Sequence, residues 1–177
     1  MEDIKTVRQR NITVKLSDTD CQRLVRKCGE HGLTVGELLE NFVSDLIGGH
    51  GTNGSDERDL ANQWFNRCWF GEYPKDTFLQ YLLLNGYNPE HYLDVLDNIK
   101  DAEDTKQRAA DHPEDYDPEE LSYLDDYIAD WQEELADMRA DWKSDKEPDM
   151  QEEVDIIKKW VKEKEKLMSK ESDIIQL

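Results

Sequence analysis

Reactive side chains are scarce and scattered in this chain. The four histidines, His31, His50, His91 and His112, stand 19 or more positions apart, and no G-x-S-x-G, H-E-x-x-H, P-loop, G-x-G-x-x-G or kinase-like set is present. Carboxylates are abundant. No acidic pair sits between apolar neighbours in the way a buried acid with a tuned pKa would, so a metal-dependent nuclease rests on composition alone and the chain reads as a non-enzyme. The cysteines, Cys21, Cys28 and Cys68, are odd in number and lack C-x-x-C spacing, which speaks against a disulfide framework and for a reducing compartment. Cys21, Cys28 and His31 do not form a known zinc pattern, and the cysteines are expected to be small core residues. No metal and no cofactor is expected.

The carboxylates that remain have a strongly uneven distribution. Residues 1–28 hold seven Lys/Arg against four Asp/Glu, while the whole chain of 177 residues has a net charge of -20. The beginning is basic and the body acidic. Residues 109–138 contain twelve Asp/Glu and no Lys or Arg: Asp111, Glu114, Asp115, Asp117, Glu119, Glu120, Asp125, Asp126, Asp130, Glu133, Glu134 and Asp137. Carboxylates repeated along a rigid helix imitate the regularly spaced phosphates of a nucleic acid, so they suit a cationic protein groove; the plain alternative is a solvated helix face. Such a body repels DNA, RNA and anionic membranes. No apolar stretch is long enough to span a bilayer and no secretory leader is visible in MEDIKTVRQR, so a cytoplasmic protein is expected.

The elements that must position these groups read as mainly α, with thin cores, since 37% of residues are hydrophobic and 36% charged. Residues 11–16 (NITVKL) alternate, with Ile12, Val14 and Leu16 on one face and Asn11, Thr13 and Lys15 on the other, which predicts one half-buried strand. Ser17 with Asp20 opens a first helix that stops at Gly29 to Gly32, and Thr34 with Glu37 opens a second that stops at Gly48-Gly49. The stretch GGHGTNGS, residues 48–55, has the composition of a flexible linker.

Three short helices are expected between Asp56 and Lys100. Trp64, Phe65, Trp69 and Phe70 suit a base-stacking or partner-binding surface, with core packing the weightier reading. Asp117-Pro118-Glu119-Glu120 begins a further helix, whose apolar residues Leu121, Leu124, Ile128, Trp131, Leu135, Met138 and Trp142 recur at alternating spacings of three and four. That narrow seam needs a partner helix. The segment holding Val154, Ile157, Val161 and Met168 follows a short turn, which predicts an antiparallel hairpin within one chain, with pairing between chains as the alternative. The expected domains are therefore residues 1–50, a strand-helix-helix module; 51–110, an aromatic-rich helical cluster; and 111–177, an acidic coiled-coil-like hairpin.

The strand-helix-helix module, on NITVKLSD and GLTVGELLENF, resembles the ribbon-helix-helix family of DNA-binding regulators. That resemblance covers about fifty residues and implies an obligate homodimer whose strands pair into one ribbon. It implies that Asn11, Thr13 and Lys15 meet base edges of double-stranded DNA, that Arg8 and Arg10 meet phosphates, and that the N–H groups of Thr34 and Val35 present a phosphate-binding helix start. A module that only dimerises is the alternative, and a long acidic body is foreign to the family, though an antitoxin arm would account for it. Taken with RQRNITVKLSDTDCQRL, GLTVGELLENF and NQWFNRCWFGEYP, the chain through about residue 100 is similar to small proteins of Firmicutes mobile elements associated with type II-A anti-CRISPR inhibitors. This second resemblance implies a partner: the guide-loaded type II RNA-guided DNA nuclease of the host bacterium.

Overall fold

The structure is a computed structural model that describes residues 7–144 and 147–169, with the side chain of Glu120 outside the described set. Among the described residues there are eight α-helices, one 3-10 turn and no strand. The helices are α1 (Asp18–Gly29), α2 (Val35–Ile47), α3 (Ser55–Arg67), α4 (Trp69–Glu72), α5 (Phe78–Leu84), α6 (Pro89–Asp111), α7 (Pro118–Arg139) and α8 (Met150–Met168). The mainly helical reading holds. The strand expected over residues 11–16 does not form: that segment is irregular, and Ile12, Val14 and Leu16 are exposed. The reason is physical, because a strand satisfies its amides through a neighbouring strand and none is present among the described residues to supply one.

The chain divides between Lys75 and Asp76 into two units, where the sequence placed divisions after residues 50 and 110. In the first unit, local signals make the helices. The Ser17 side chain accepts the Asp20 N–H at 3.1 Å to start α1. Thr34 and Glu37 form a complete capping box on α2: the Thr34 hydroxyl takes the Glu37 N–H, and the Glu37 carboxylate takes the Thr34 N–H at 2.7 Å. Helix α2 stops at Gly48, whose φ of 63° is the left-handed turn that glycine adopts without strain.

Residues 48–54, expected to be flexible, are tied down by one carboxylate. Asp45, buried near the end of α2, accepts the Thr52 hydroxyl at 2.9 Å, the Asn53 N–H at 2.7 Å and the Asn53 side-chain amide at 2.9 Å. These bonds, led by those from Asn53, hold its carboxyl below the usual range. A Cβ on Gly51 would come within 3.1 Å of the Ser44 hydroxyl oxygen, so the loop closes on Ser44 because glycine is there. Gly51 serves close approach, while Gly48 supplies the left-handed turn. α2 packs on α1 and α3, and α3 on α4, yet Cys28 and Ala61 are the buried hydrophobic residues of this unit among those described.

The second unit has a true core. Phe78, Leu82, Tyr92, Val95, Leu135, Met138 and Ile157 are buried together, with Trp131, Trp142, Val154 and Val161 packed against them. Phe78 is ringed by Tyr92 and Trp142 at centroid distances of 4.9 Å each. Its N–H, which is left open at the start of α5, is accepted by Glu153 of α8 at 2.7 Å. Helix α6 runs on to Asp111, well past the end expected near Lys100, and α7 lies along it. His91 with Glu134 and Tyr92 with Arg139 join the start of α6 to the end of α7, and Lys106 with Asp125 joins the later part of α6 to the first half of α7, so the two helices are antiparallel.

The seam of α7 therefore meets α6, and α8 packs on α5 and α6. The hairpin of α7 with α8 expected over residues 111–177 is replaced by this three-way arrangement. Both connections are short, residues 112–117 before α7 and residues 140–149 after it, so connection length does not decide between them. The extended α6 does, by offering the longer surface.

Candidate partner-binding surface

Helix α7 sorts its residues by side. The seam side faces the core through Trp131, Leu135 and Met138. On the opposite side Glu119, Asp126, Asp130, Glu133 and Asp137 follow one another at spacings of seven, four, three and four, which keeps them in a single stripe about 27 Å long. All five are exposed. Asp125 and Glu134 flank the stripe, and among the described residues these two are the acids of α7 that meet a basic side chain: Lys106 reaches Asp125, and His91 Nε2 lies 2.6 Å from Glu134 Oε1. The stripe itself points its charge outward.

Asp111, Glu114 and Asp115 are exposed around the α6–α7 connection, ahead of the stripe. Asp117 has a local task, since its side chain accepts the Glu119 N–H at 2.9 Å and caps α7. Glu120 belongs to the same helix, but its side chain lies outside those described. So the structure gathers most of the acidic residues read from the sequence onto one helix and its approach.

Beside the stripe lies a cleft of about 460 Å³ between the start of α6 and the second half of α7, lined by Tyr87, Asn88, His91, Asp130, Glu133, Glu134, Asp137 and Met138. Three stripe carboxylates thus share a concave wall with His91. Beneath it, Arg139 donates to the buried Tyr92 hydroxyl at 2.7 Å and stacks over its ring, fixing α7 on α6. Burial pushes the Tyr92 hydroxyl pKa up, and Arg139 pulls against that rise.

The residues expected to meet DNA are arranged differently. Asn11, Thr13 and Lys15 are exposed and Arg8 and Arg10 half-buried, all in the irregular segment before α1. The Thr34 N–H does not wait for a phosphate: the Glu37 carboxylate fills its place, and those bonds hold Glu37 below the usual carboxylate range. Val35 is half-buried as the first residue of α2. The Thr34 site is thus corrected from a phosphate cradle to a closed cap.

Cys28 is buried as expected, Cys68 is half-buried, and Cys21 is exposed, contrary to its reading as a core residue. Among the described residues no group of three His, Cys, Asp or Glu could hold a metal ion, and no helix is long and apolar enough to cross a membrane. The aromatic residues Trp64, Phe65, Trp69 and Phe70, read mainly as core, are exposed instead, and Trp69 keeps 70% of its surface open. Their clustering in NQWFNRCWF was the available signal; what sequence lacked was a measure of how little chain surrounds them. Compared with family models, curated proteins and solved structures, the chain matches none.

Proposed function

We propose that the protein is a non-catalytic, cytoplasmic inhibitor that lays the acidic face of α7 into the cationic nucleic-acid groove of a guide-loaded type II RNA-guided DNA nuclease and blocks target DNA binding or cleavage. The observation that carries the acidic-face reading is the stripe from Glu119 to Asp137, which is straight, rigidly mounted on α6 and free of lysine or arginine along its length. The nuclease as partner comes from the sequence resemblance. A groove built for phosphates attracts such a stripe at long range, and the contact weakens as salt rises, because exposed charges are screened beyond roughly 10 Å at 0.1 M.

Mixing the purified protein with the guide-loaded nuclease and a cognate DNA target tests the reading. Cleavage should fall as the protein is added, and Asp126→Lys with Asp130→Lys and Glu133→Lys should restore it while the helical circular dichroism stays unchanged. Full cleavage at large molar excess of the unaltered protein overturns the proposal.

A second reading, a homodimeric DNA-binding regulator or antitoxin, is favoured by the exposed alternation of Ile12, Val14 and Leu16 with Asn11, Thr13 and Lys15. Two such segments would supply each other with the strand partner that one chain lacks. A gel shift on DNA upstream of its own gene, comparing the unaltered chain with Asn11→Ala plus Lys15→Ala, tests it; absence of a specific shift at moderate salt rejects it.

A further inference from the structure

The first unit carries a continuous aromatic face. Phe42 of α2 meets Trp64 of α3 edge to face at 5.2 Å, Trp64 meets Phe70 at 6.1 Å, and Phe70 also meets Phe65 at 5.1 Å and Trp69 at 5.8 Å. All five rings are exposed. Taking roughly 200 Å² for each aromatic side chain, the open fractions of the five rings leave about 450 Å². A contiguous aromatic face of that size is as large as the largest apolar patch on a solitary soluble protein, and such patches commonly mark a contact.

We infer that this face is closed by the same face of a second copy of the chain. Two observations select a second copy. Among the described residues this unit buries Cys28 and Ala61 of its hydrophobic side chains, a thin core for four helices, and a second copy is the one cover present whenever the chain is. Charge gives the other: residues 76–169 hold twenty-eight Asp/Glu against eleven Lys/Arg, whereas residues 7–75 hold ten against nine. Two copies repel each other through the acidic unit, and contact through the near-neutral one adds least to that repulsion. The contact is isologous, with rings of one copy set against rings of the other around a two-fold axis.

This interface is independent of the acidic stripe, and salt separates the two. Screening relieves the repulsion between acidic units and leaves apolar burial in place, so the dimer tightens as salt rises, while binding of the stripe to a cationic groove loosens.

Sedimentation velocity of the full chain across micromolar concentrations, at low and high salt, reads the outcome. The expected species has twice the 20.8 kDa of one chain and is favoured at high salt. Trp69→Glu, at a position too exposed to disturb a monomer, should weaken dimerisation on the order of thirtyfold with helical content unchanged. In protein labelled with 5-fluorotryptophan, the Trp64 and Trp69 resonances should move with concentration, while that of Trp131 stays. A monomer at high micromolar concentration overturns the inference, and so does a dimer that Trp69→Glu leaves intact but Val14→Glu breaks, since that would place the interface on the segment before α1.

Discussion

Residues 7–75 and residues 76–169 are both helical, and both contain helices begun by side-chain caps, at α1 and α2 in the first and at α5 to α8 in the second, but they use their apolar residues in opposite ways. Among the described residues the first unit buries Cys28 and Ala61, and the second buries nine hydrophobic residues, among them Phe78, Leu82, Tyr92, Val95 and Ile157 with almost no open surface. The charges run the other way, with near neutrality in the first unit and a large acidic excess in the second. Helix propensity and capping therefore decide where helices lie, and they do not decide whether those helices own a core. A unit with strong caps and open rings is built to be completed from outside, whereas a unit with a closed core can carry a repelling surface and stay folded.

The sharpest way to break this contrast is to remove the centre of the closed core. Phe78→Ala should cost about 3–5 kcal/mol, because a fully buried ring leaves a cavity among Tyr81, Tyr92 and Trp142. Chemical denaturation followed by hydrogen exchange should place the loss in residues 76–169. A smaller effect is expected at the mount of the acidic helix. Arg139→Leu leaves the Tyr92 hydroxyl buried without its donor and should cost roughly 1–3 kcal/mol, read in the same denaturation experiment.

In the first unit, Thr34→Ala removes one half of the α2 capping box and should cost about 1 kcal/mol, visible as faster amide exchange in the first turn of α2. The smallest and most local effect concerns pH. Because Asn53 and Thr52 hold the Asp45 carboxyl below its ordinary value, its contribution to stability is complete above the usual carboxylate range and is lost as pH falls through the lowered folded value. The side-chain amide resonance of Asn53 should therefore stay put through mild acid and move only in stronger acid, and Asp45→Asn should abolish the titration.

How legible all this was in sequence depended on range. Helix starts at Ser17, Thr34, Asn88-Pro89 and Asp117-Pro118 are three- and four-residue signals, and the structure places a helix at each. The acidic stripe was equally plain, since the spacing that turns Leu121 to Trp142 inward turns Glu119 to Asp137 outward. What sequence hid was which helix that seam would meet. Helix α6 continues beyond Ile99 through DAEDTKQRAAD, where Ala102 and Ala109 are the buried residues and the large apolar periodicity has faded. The ordering of residues 48–54 was hidden for a similar reason: Asp45 looks like a polar position on α2, and nothing local marks it as the anchor of a loop seven and eight residues further on. Residues 11–16 erred the other way, since alternation states which face a strand would bury without supplying the neighbour that makes it a strand.

The bond from Phe78 N–H to Glu153 has a consequence for the order in which the molecule is made. During synthesis, at roughly 5–20 residues per second, α1 and α2 emerge with their side-chain caps in hand, but the first N–H of α5 must wait for a carboxylate 75 positions later. For several seconds α6 and the acidic helix lack α8, whose Ile157, Val154 and Val161 complete their core. Mutual repulsion among the carboxylates of neighbouring nascent chains then acts as a temporary guard, keeping unfinished seams apart until the last helix arrives.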